Sequence, residues 1–440
     1  MPDDIRKRTM AKVGVRLFPY MIIAFCVAFL DRVNISFAAL QMNRDLGLSM
    51  QTFGFAAGIL FVGYTIFQLP SNLILDRIGA RVWLACTMAV WGLLSAGIAF
   101  VSGAHSLYAM LFFLGIAEAG FSPGLLLYLT RWFPAEERAK AVTIFLLGSP
   151  VAVVFGAPLS TWILTDFNHV LGLAGWKWLF ISEGFPAIIL GIFTFVWLVD
   201  RPRQARWLEP AEREWLSNLL ENEMRLKQRK ELSHWGDVFR NVPTLLLALA
   251  KMCILLSFFG ITFWLPQILK GMGGRTDLQV GVITSIPYAF AAVGSILVAR
   301  RSDRTGERVF HVAIPAFVGA IGFVLAGLTK NPVFALLGIC TAATGLWASN
   351  TVFWTLPAKI LTGTTEAAGI AFINLVGDLG GFFGPFLSGV ILAVTHSYGL
   401  VLVTLGGVLA LSGIILILIR GKLGEPISPW PHSLVASRIE

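Results

Sequence analysis

Apolar segments of roughly 20 residues recur along this chain, each the length an α-helix needs to cross a ~30 Å hydrocarbon core. They fall near 17–40, 52–75, 82–101, 106–130, 140–165, 178–199, 243–269, 278–299, 309–329, 332–356, 366–393 and 399–420, twelve in all. Backbone polar groups find no water in lipid, and a helix satisfies them within one segment, so runs of this length predict an all-α integral membrane protein. Composition agrees: with 56% hydrophobic and 13% charged residues in 440 positions, polar surface is too scarce to cover a soluble globule. The first segment follows Arg6, Lys7, Arg8, Lys12 and Arg16 as a signal peptide would. It is too long for one and carries Asp31 and Arg32 in its middle, so it is expected to be retained.

An even number of spans puts both termini on one side. The termini and the even-numbered connections hold 27 of the 34 lysines and arginines, against five in the odd-numbered connections (Arg44, Lys177, Lys270, Arg275, Lys330) and two within spans (Arg32, Lys251). Basic loops stay in the cytoplasm, so both termini are expected there, in a cell membrane and most simply a bacterial inner membrane. The net charge of +9 follows from the same asymmetry and from basic flanks beside anionic lipid, so lipid and not nucleic acid is the expected partner. Cys26, Cys86, Cys253 and Cys340 lie within spans without metal-ligand spacing and read as packing residues. No metal or cofactor is expected.

The longest polar interval divides six spans from six, which sets the expected domains: 1–199 and 243–422 as six-helix halves, 200–242 as a cytoplasmic linker with some helix, and 423–440 as a cytoplasmic tail. Across that linker one signature repeats, DRIGAR at Asp76 to Arg81 and DRTGER at Asp303 to Arg308. A glycine allows the tight turn between two helices, while aspartate and arginine can pair across it or cap the neighbouring ends. An ordinary positive loop explains the arginines of one copy, but not two matched copies.

These loops resemble those of the major facilitator superfamily. FLDRVNISFA (29–38), QLPSNLILDRIGAR (68–81), LGIAEAGFSPGLLLYLTRWFPAEERAKA (114–141), WKWLFISEGFPA (176–187) and FWLPQIL (263–269) narrow the resemblance to its anion:cation symporter family, in the branch with 4-hydroxyphenylacetate, tartrate and phthalate permeases. The resemblance implies twelve helices in two pseudo-symmetric halves about a central midplane cavity. It also implies a cytoplasmic gate built from Asp76, Arg77, Arg81, Asp303, Arg304 and Arg308.

Six ionisable residues lie within spans: Asp31, Arg32, Glu118, Glu183, Lys251 and Asp378. A charge at mid-bilayer costs ~3 kcal/mol or more, so such residues mark a transport path by default. Adjacent residues on a helix point about 100 degrees apart, so Asp31 and Arg32 are poorly placed to neutralise each other. Arg32 offers a planar fork that matches a carboxylate. Desolvation of Glu118 favours its proton-holding form. The resemblance assigns Asp31 and Glu118 to proton coupling and Arg32 to substrate; the other reading is an ion network that only holds helices together.

Further candidates for substrate contact are Tyr64 and Gln68, four apart on the second span, where the resemblance gives Tyr64 a substrate role, and Asn34, one turn beyond Asp31. In the second half they are Asn350 and Trp354, and Asn374 and Asp378, each pair again four apart. Asp378 reads equally as a titrating group or as helix packing. Glu183, near the outer end of its span beside two tryptophans, reads as an interfacial structural residue. Relatives commonly carry an arginine where this chain has Leu111, and Lys251 is unexpected in the family. Lys251 either replaces that charge from the opposite half or extends to the cytoplasmic headgroups.

GFSPG (120–124) fits a nucleophile-elbow pattern, but that motif needs a strand-to-helix turn and partner residues. Here Pro123 bends a membrane helix instead. No enzyme is expected. The expected function is a monomeric secondary transporter importing a small organic carboxylate (an aromatic, hydroxy or sugar acid) with protons by alternating access. The alternatives are an exporter or exchanger, or a non-transporting receptor on the same scaffold.

Overall fold

The computed structural model describes residues 2–146, 148–228, 241–357 and 365–422. Helices stand where the apolar segments require them: α1 Pro2–Asp45, α2 Met50–Ile78, α3 Ala80–Ile98, α4 Ala104–Glu118, α5 Phe121–Thr130, α6 Ala135–Leu146, α7 Gly148–Asp166 and α8 Gly175–Trp197. After these come α9 Pro210–Gln228, α10 Val242–Gly271, α11 Asp277–Thr305, α12 Val309–Leu328, α13 Pro332–Phe353, α14 Thr365–Thr395 and α15 Tyr398–Leu418. Among the described residues twelve helical spans are long and apolar enough to cross a membrane, counting α4 and α5 as one. Large apolar side chains such as Phe100, Phe155 and Val196 stand more than 70% exposed. In water such patches would associate; facing lipid they cost nothing.

Local chemistry sets the helix ends. Ser49 precedes α2 and its hydroxyl accepts the Thr52 amide at 3.1 Å, and Asn331 accepts the Val333 amide at 2.9 Å before α13, each worth ~1 kcal/mol. The bend expected from Pro123 falls at Ala119 and Gly120, directly after Glu118. A proline has no N–H to give the fourth residue back, which frees the Ala119 carbonyl. A Cβ on Gly120 would lie 1.7 Å from Ser71 Oγ, so no larger residue fits the bend.

At 1.5 Å per residue α1 is about 66 Å long and overruns the hydrocarbon layer. Its first turns carry Arg6, Arg8 and Lys12, which pair with Glu136, Glu209 and Glu212. The linker is thereby fastened to α1 through Glu209 and Glu212, to α6 through Arg138 and Glu223 at 3.3 Å, and to the loop before α6 through Trp132 stacked on Trp207.

The chain divides into two compact units. The first takes residues 1–231 with 262–286 and 385–396. Here α2 and α4 cross closely, because a Cβ on Gly115 would lie 1.9 Å from the Leu60 carbonyl oxygen and one on Gly63 2.2 Å from that of Phe112. Helices α3 and α8 meet the same way through Gly92 and Gly184. These crossings carry Tyr64 and Glu118, and Ser95 and Glu183, into the same interior. Residues 262–286 join this unit through Phe53 on Trp264, Phe61 on Phe263 and Gln41 to Asp277.

The second unit takes residues 232–261, 287–384 and 397–440. In it α10 and α14 run in contact through Gly380 and Gly384, where an added Cβ would meet the Met252 and Leu256 carbonyl oxygens at 2.4 and 2.3 Å. Helices α12 and α13 pack through Gly322 and Gly338.

Candidate functional site

Asp31 and Arg32 diverge, as their helical spacing requires. Arg32 reaches α4, where its Nε and Nη2 donate to Glu118 Oε2 at 3.1 and 2.5 Å. Two donors on one oxygen leave Glu118 Oε1 buried without a partner. The guanidinium carbon lies 5.0 Å from the Tyr64 ring centroid and 5.6 Å from that of Phe61, so α2 supplies aromatic faces beside the charge. Asp31 turns to α3 instead, where the Ser95 hydroxyl donates to its Oδ1. Its Oδ2 is buried and unpartnered, and Asp31 and Glu118 sense each other's charge directly.

Asn34, one turn on from Asp31, is fully buried with its Oδ1 3.0 Å from Ser160 Oγ on α7. The same hydroxyl meets Glu183 Oε1 at 3.0 Å. Glu183 is therefore not interfacial. Its helix begins at Gly175, which puts it about 12 Å inside at 1.5 Å per residue, and it is 7% exposed. Sequence reading placed it outward because the neighbouring tryptophans suggested a headgroup belt; Trp176 is instead buried and bonded to Asp45 at 2.9 Å.

In the second unit Lys251 is 2% exposed and donates to Asn350 Oδ1 at 2.6 Å, without extending toward the helix end. Its ammonium lies 4.6 Å from the Trp354 ring centroid and 5.1 Å from that of Phe353. Asp378 acts on it electrostatically from α14, beside Gly377, whose Cα faces the Lys251 stem. Lys251, Asn350, Trp354 and Asp378 thus form one group. Asn374 and Gln68 are half-buried.

Each repeat of the DRxGxR signature pairs inside its own unit. Asp76 accepts from Arg131 at 3.0 Å, which links the end of α2 to the end of α5, while the Arg81 guanidinium donates to the Phe195 carbonyl and its amide to Asp200. Arg308 pairs with Asp303 of its own loop at 2.6 Å and with the Ser302 hydroxyl. Arg77 and Arg304 are exposed.

Twelve membrane helices, four of them holding a buried charge (Asp31, Glu118, Glu183 and Lys251), and a loop signature repeated six spans apart, are matched by a family model. The Major Facilitator Superfamily model fits residues 21–385. The chain belongs to that superfamily. A protein of Agrobacterium vitis, provisionally named as a tartrate transporter, is 41% identical over 435 residues, covering 98% of this chain and all of the relative. This agrees with the expected branch. A quinolone resistance transporter of Acinetobacter baumannii is 37% identical over 421 residues, covering 96% of each. Among solved structures, a bacterial homolog of the human lysosomal transporter Spinster superposes with a TM-score of 0.75 at 16% identity, covering 95% of this chain and 99% of that one. At that identity the likeness carries the fold alone. As a member of the Major Facilitator Superfamily the chain is a multi-pass membrane transporter and not an enzyme.

Four participants escaped the sequence reading of this facilitator: Ser95, Ser160, Phe61 and Phe353. A hydroxyl in an apolar span is a weak signal because serine can satisfy itself on its own helix, as Ser36 does on Val33. The phenylalanines carried no signal at all, since an aromatic ring in a membrane helix is ordinary packing.

Proposed function

We propose that this transporter imports a small organic carboxylate together with protons, by alternating access of its two six-helix halves. The observation that carries the reading is the buried pair of Arg32 and Glu118 with Asp31 one residue away. While Glu118 is ionised it occupies the guanidinium. A proton on Glu118 weakens that bond and releases the fork for a substrate carboxylate, which it can hold through two parallel hydrogen bonds. Substrate and proton then favour each other, which is the thermodynamic meaning of symport. If Asp31 also loads a proton, a monoanion enters with net charge +1, and each 100 mV of membrane potential helps by ~2.3 kcal/mol.

Tyr64, Gln68, Asn350, Asn374, Lys251, Trp354 and Asp378 are the proposed substrate contacts from the two halves, and the two DRxGxR loops the proposed cytoplasmic gate. We place the protein as a monomer in a bacterial inner membrane with both termini cytoplasmic, in accord with its lysine and arginine distribution. The proposed boundaries of the halves are 1–199 and 243–422, with the linker's residues 229–240 and the tail 423–440 outside the described residues.

The test begins with a thermal-shift screen of purified protein against tartrate and other hydroxy, aromatic and sugar acids; a ligand at 100 times its Kd should stabilise by ~2.7 kcal/mol. The stabilising acid is then followed into proteoliposomes under an imposed inward proton gradient. Accumulation that collapses with the gradient supports the reading, and accumulation indifferent to it refutes proton coupling. The Acinetobacter baumannii relative favours a second reading, export of an organic acid. Accumulation driven by the opposite gradient would select it, and absence of saturable uptake of any stabilising acid would point to a receptor.

A further inference from the structure

Glu183 is a buried carboxylate within a membrane span that the coupling pair does not use. It is 7% exposed, its Oε2 has no partner, and its Oε1 rests on Ser160 Oγ at 3.0 Å. That hydroxyl also lies 2.8 Å from the Gly156 carbonyl oxygen and 3.0 Å from the Asn34 side chain. A hydroxyl has one proton to give and two lone pairs to receive. Asn34 Nδ2 is left without a partner, and turning the amide over places that N–H on Ser160, an assignment hydrogen-bond logic prefers.

With that orientation the site is satisfied in both protonation states. When Glu183 carries a proton it donates to Ser160, which donates onward to the Gly156 carbonyl. When Glu183 is ionised the hydroxyl rotates and donates to the carboxylate, and Gly156 keeps its bond within the helix. A group meant only to pin α7 to α8 needs one of these states; a group that binds and releases a proton needs both.

Charge bookkeeping points the same way. Arg32 is bonded to Glu118 and acts on Asp31 through space, while the charge that Glu183 senses is that of Asp31, so full ionisation of the three carboxylates would leave two negative charges uncompensated, each costing several kcal/mol in a dry interior. Of the helices packed on α8, α1 brings Asp31, whose field reaches Glu183, and Arg32, which is held by Glu118. Helix α7 brings Ser160, with Asp166 at its far end. Helix α3 brings Arg81 at its first turn, bonded to Phe195, and the exposed Cys86. On α8 itself Lys177 lies over Trp176. No second cation among these stands at Glu183.

We propose that Glu183 is a third carboxylate that binds and releases a proton as the transporter works, switched by the Ser160 hydroxyl and sensitive to the charge on Asp31. This rests on the proton-coupled reading above. The test needs no substrate. Purified protein is titrated across neutral pH while the infrared C=O band of protonated carboxyl groups is recorded. The Glu183→Gln protein should lack a band that wild type shows and loses on alkalinisation, and should release about one proton fewer per chain. Ser160→Ala should shift the band's frequency, and Asp31→Asn should change the pH at which it is lost; Glu183→Asp should keep a displaced band if glutamine impairs folding. A band that persists unchanged through the whole titration, or no difference between wild type and Glu183→Gln, overturns the proposal. The Glu118→Gln protein separates the two ideas: if proton-driven uptake survives without Glu118 the coupling reading fails, whereas the Glu183 band stands or falls on its own titration.

Discussion

Arg32, half-buried, and Lys251, buried, are both cations within a membrane helix, and they are held in opposite ways. Arg32 is matched by a full negative charge, Glu118, at 2.5 Å. Lys251 is bonded to a neutral amide oxygen and flanked by two rings, with Asp378 acting on it through space. The first arrangement is a closed pair that something must open, and the proton is the agent that can. The second leaves the cation solvated by dipoles and π-faces, so an incoming anion need not displace a bound carboxylate to reach it. Under the proposed function, the first group couples and the second recruits.

The largest effect should come from opening the closed pair permanently. Glu118→Gln keeps size and hydrogen bonding but has no proton to release, so proton-driven accumulation should be lost entirely while substrate counterflow survives. Proteoliposome uptake with and without a pH gradient checks this; a full pH-dependent accumulation in the mutant would remove Glu118 from coupling. Next, Arg32→Lys should weaken substrate binding about a hundredfold, equivalent to ~2.8 kcal/mol, because an ammonium cannot present the planar fork. Calorimetric affinity unchanged by that substitution would place the carboxylate elsewhere. The purely structural reading of the pair is tested by thermal unfolding. Arg32→Met alone should cost ~3–5 kcal/mol by stranding Glu118, whereas Arg32→Met with Glu118→Leu should recover most of it yet transport nothing.

How much of this was legible in the chain varies by physical kind. The spans were readable because lipid enforces one rule, about 20 apolar residues per crossing, and the bend after Glu118 was readable because proline lacks a donor. Asp31, Arg32 and Glu118 announced themselves through the cost of burying charge. Their partners did not: that Asp31 goes to Ser95 and Arg32 to Glu118 depends on where the glycine crossings set α3 and α4 around α1, a property of close packing between segments distant in sequence. The position of Glu183 failed for a related reason, since the neighbouring tryptophans read as a membrane-surface belt until the start of α8 at Gly175 fixed the depth. The headgroup reading of Lys251 could not be set aside from its depth alone; the bond to Asn350, 99 residues away, decides where its ammonium lies.

The second group should give a smaller change, because no closed pair is broken there. Lys251→Met should reduce affinity for the transported acid about tenfold, while lowering the unfolding temperature less than Arg32→Met does, since the lost bond from a charged donor is worth ~1.5–3 kcal/mol. Leu111→Arg, which supplies a cation within the first half, should recover part of that affinity. Normal affinity and normal proton coupling in Lys251→Met would assign the lysine to packing and dissolve the contrast with Arg32.

The smallest effect tests the same contrast at the water boundary. Lys12 donates to both Glu212 oxygens, at 2.7 and 2.9 Å, and so fastens α9 to the first turns of α1. Burial pushes the Glu212 carboxyl up, but the hydrogen bonds from Lys12 and from the Glu209 amide outweigh it and hold the group below its ordinary value. A carboxyl lowered in the folded state adds stability above its unfolded value and loses it as pH falls through the folded one. The Lys12 side chain is 37% exposed, so solvent screening keeps the contribution of the pair small. Glu212→Gln should therefore lower the unfolding temperature slightly at neutral pH, and the gap from wild type should close as the solution is acidified below the ordinary carboxylate range. High salt should narrow the same gap at neutral pH, because a pair at the water boundary is screened by mobile ions, whereas it should leave the Arg32→Met deficit untouched, because ions do not enter the buried pair. If salt affected both deficits equally, Arg32 and Glu118 would be in contact with water, and the closed pair on which the proposed proton coupling depends would not be closed.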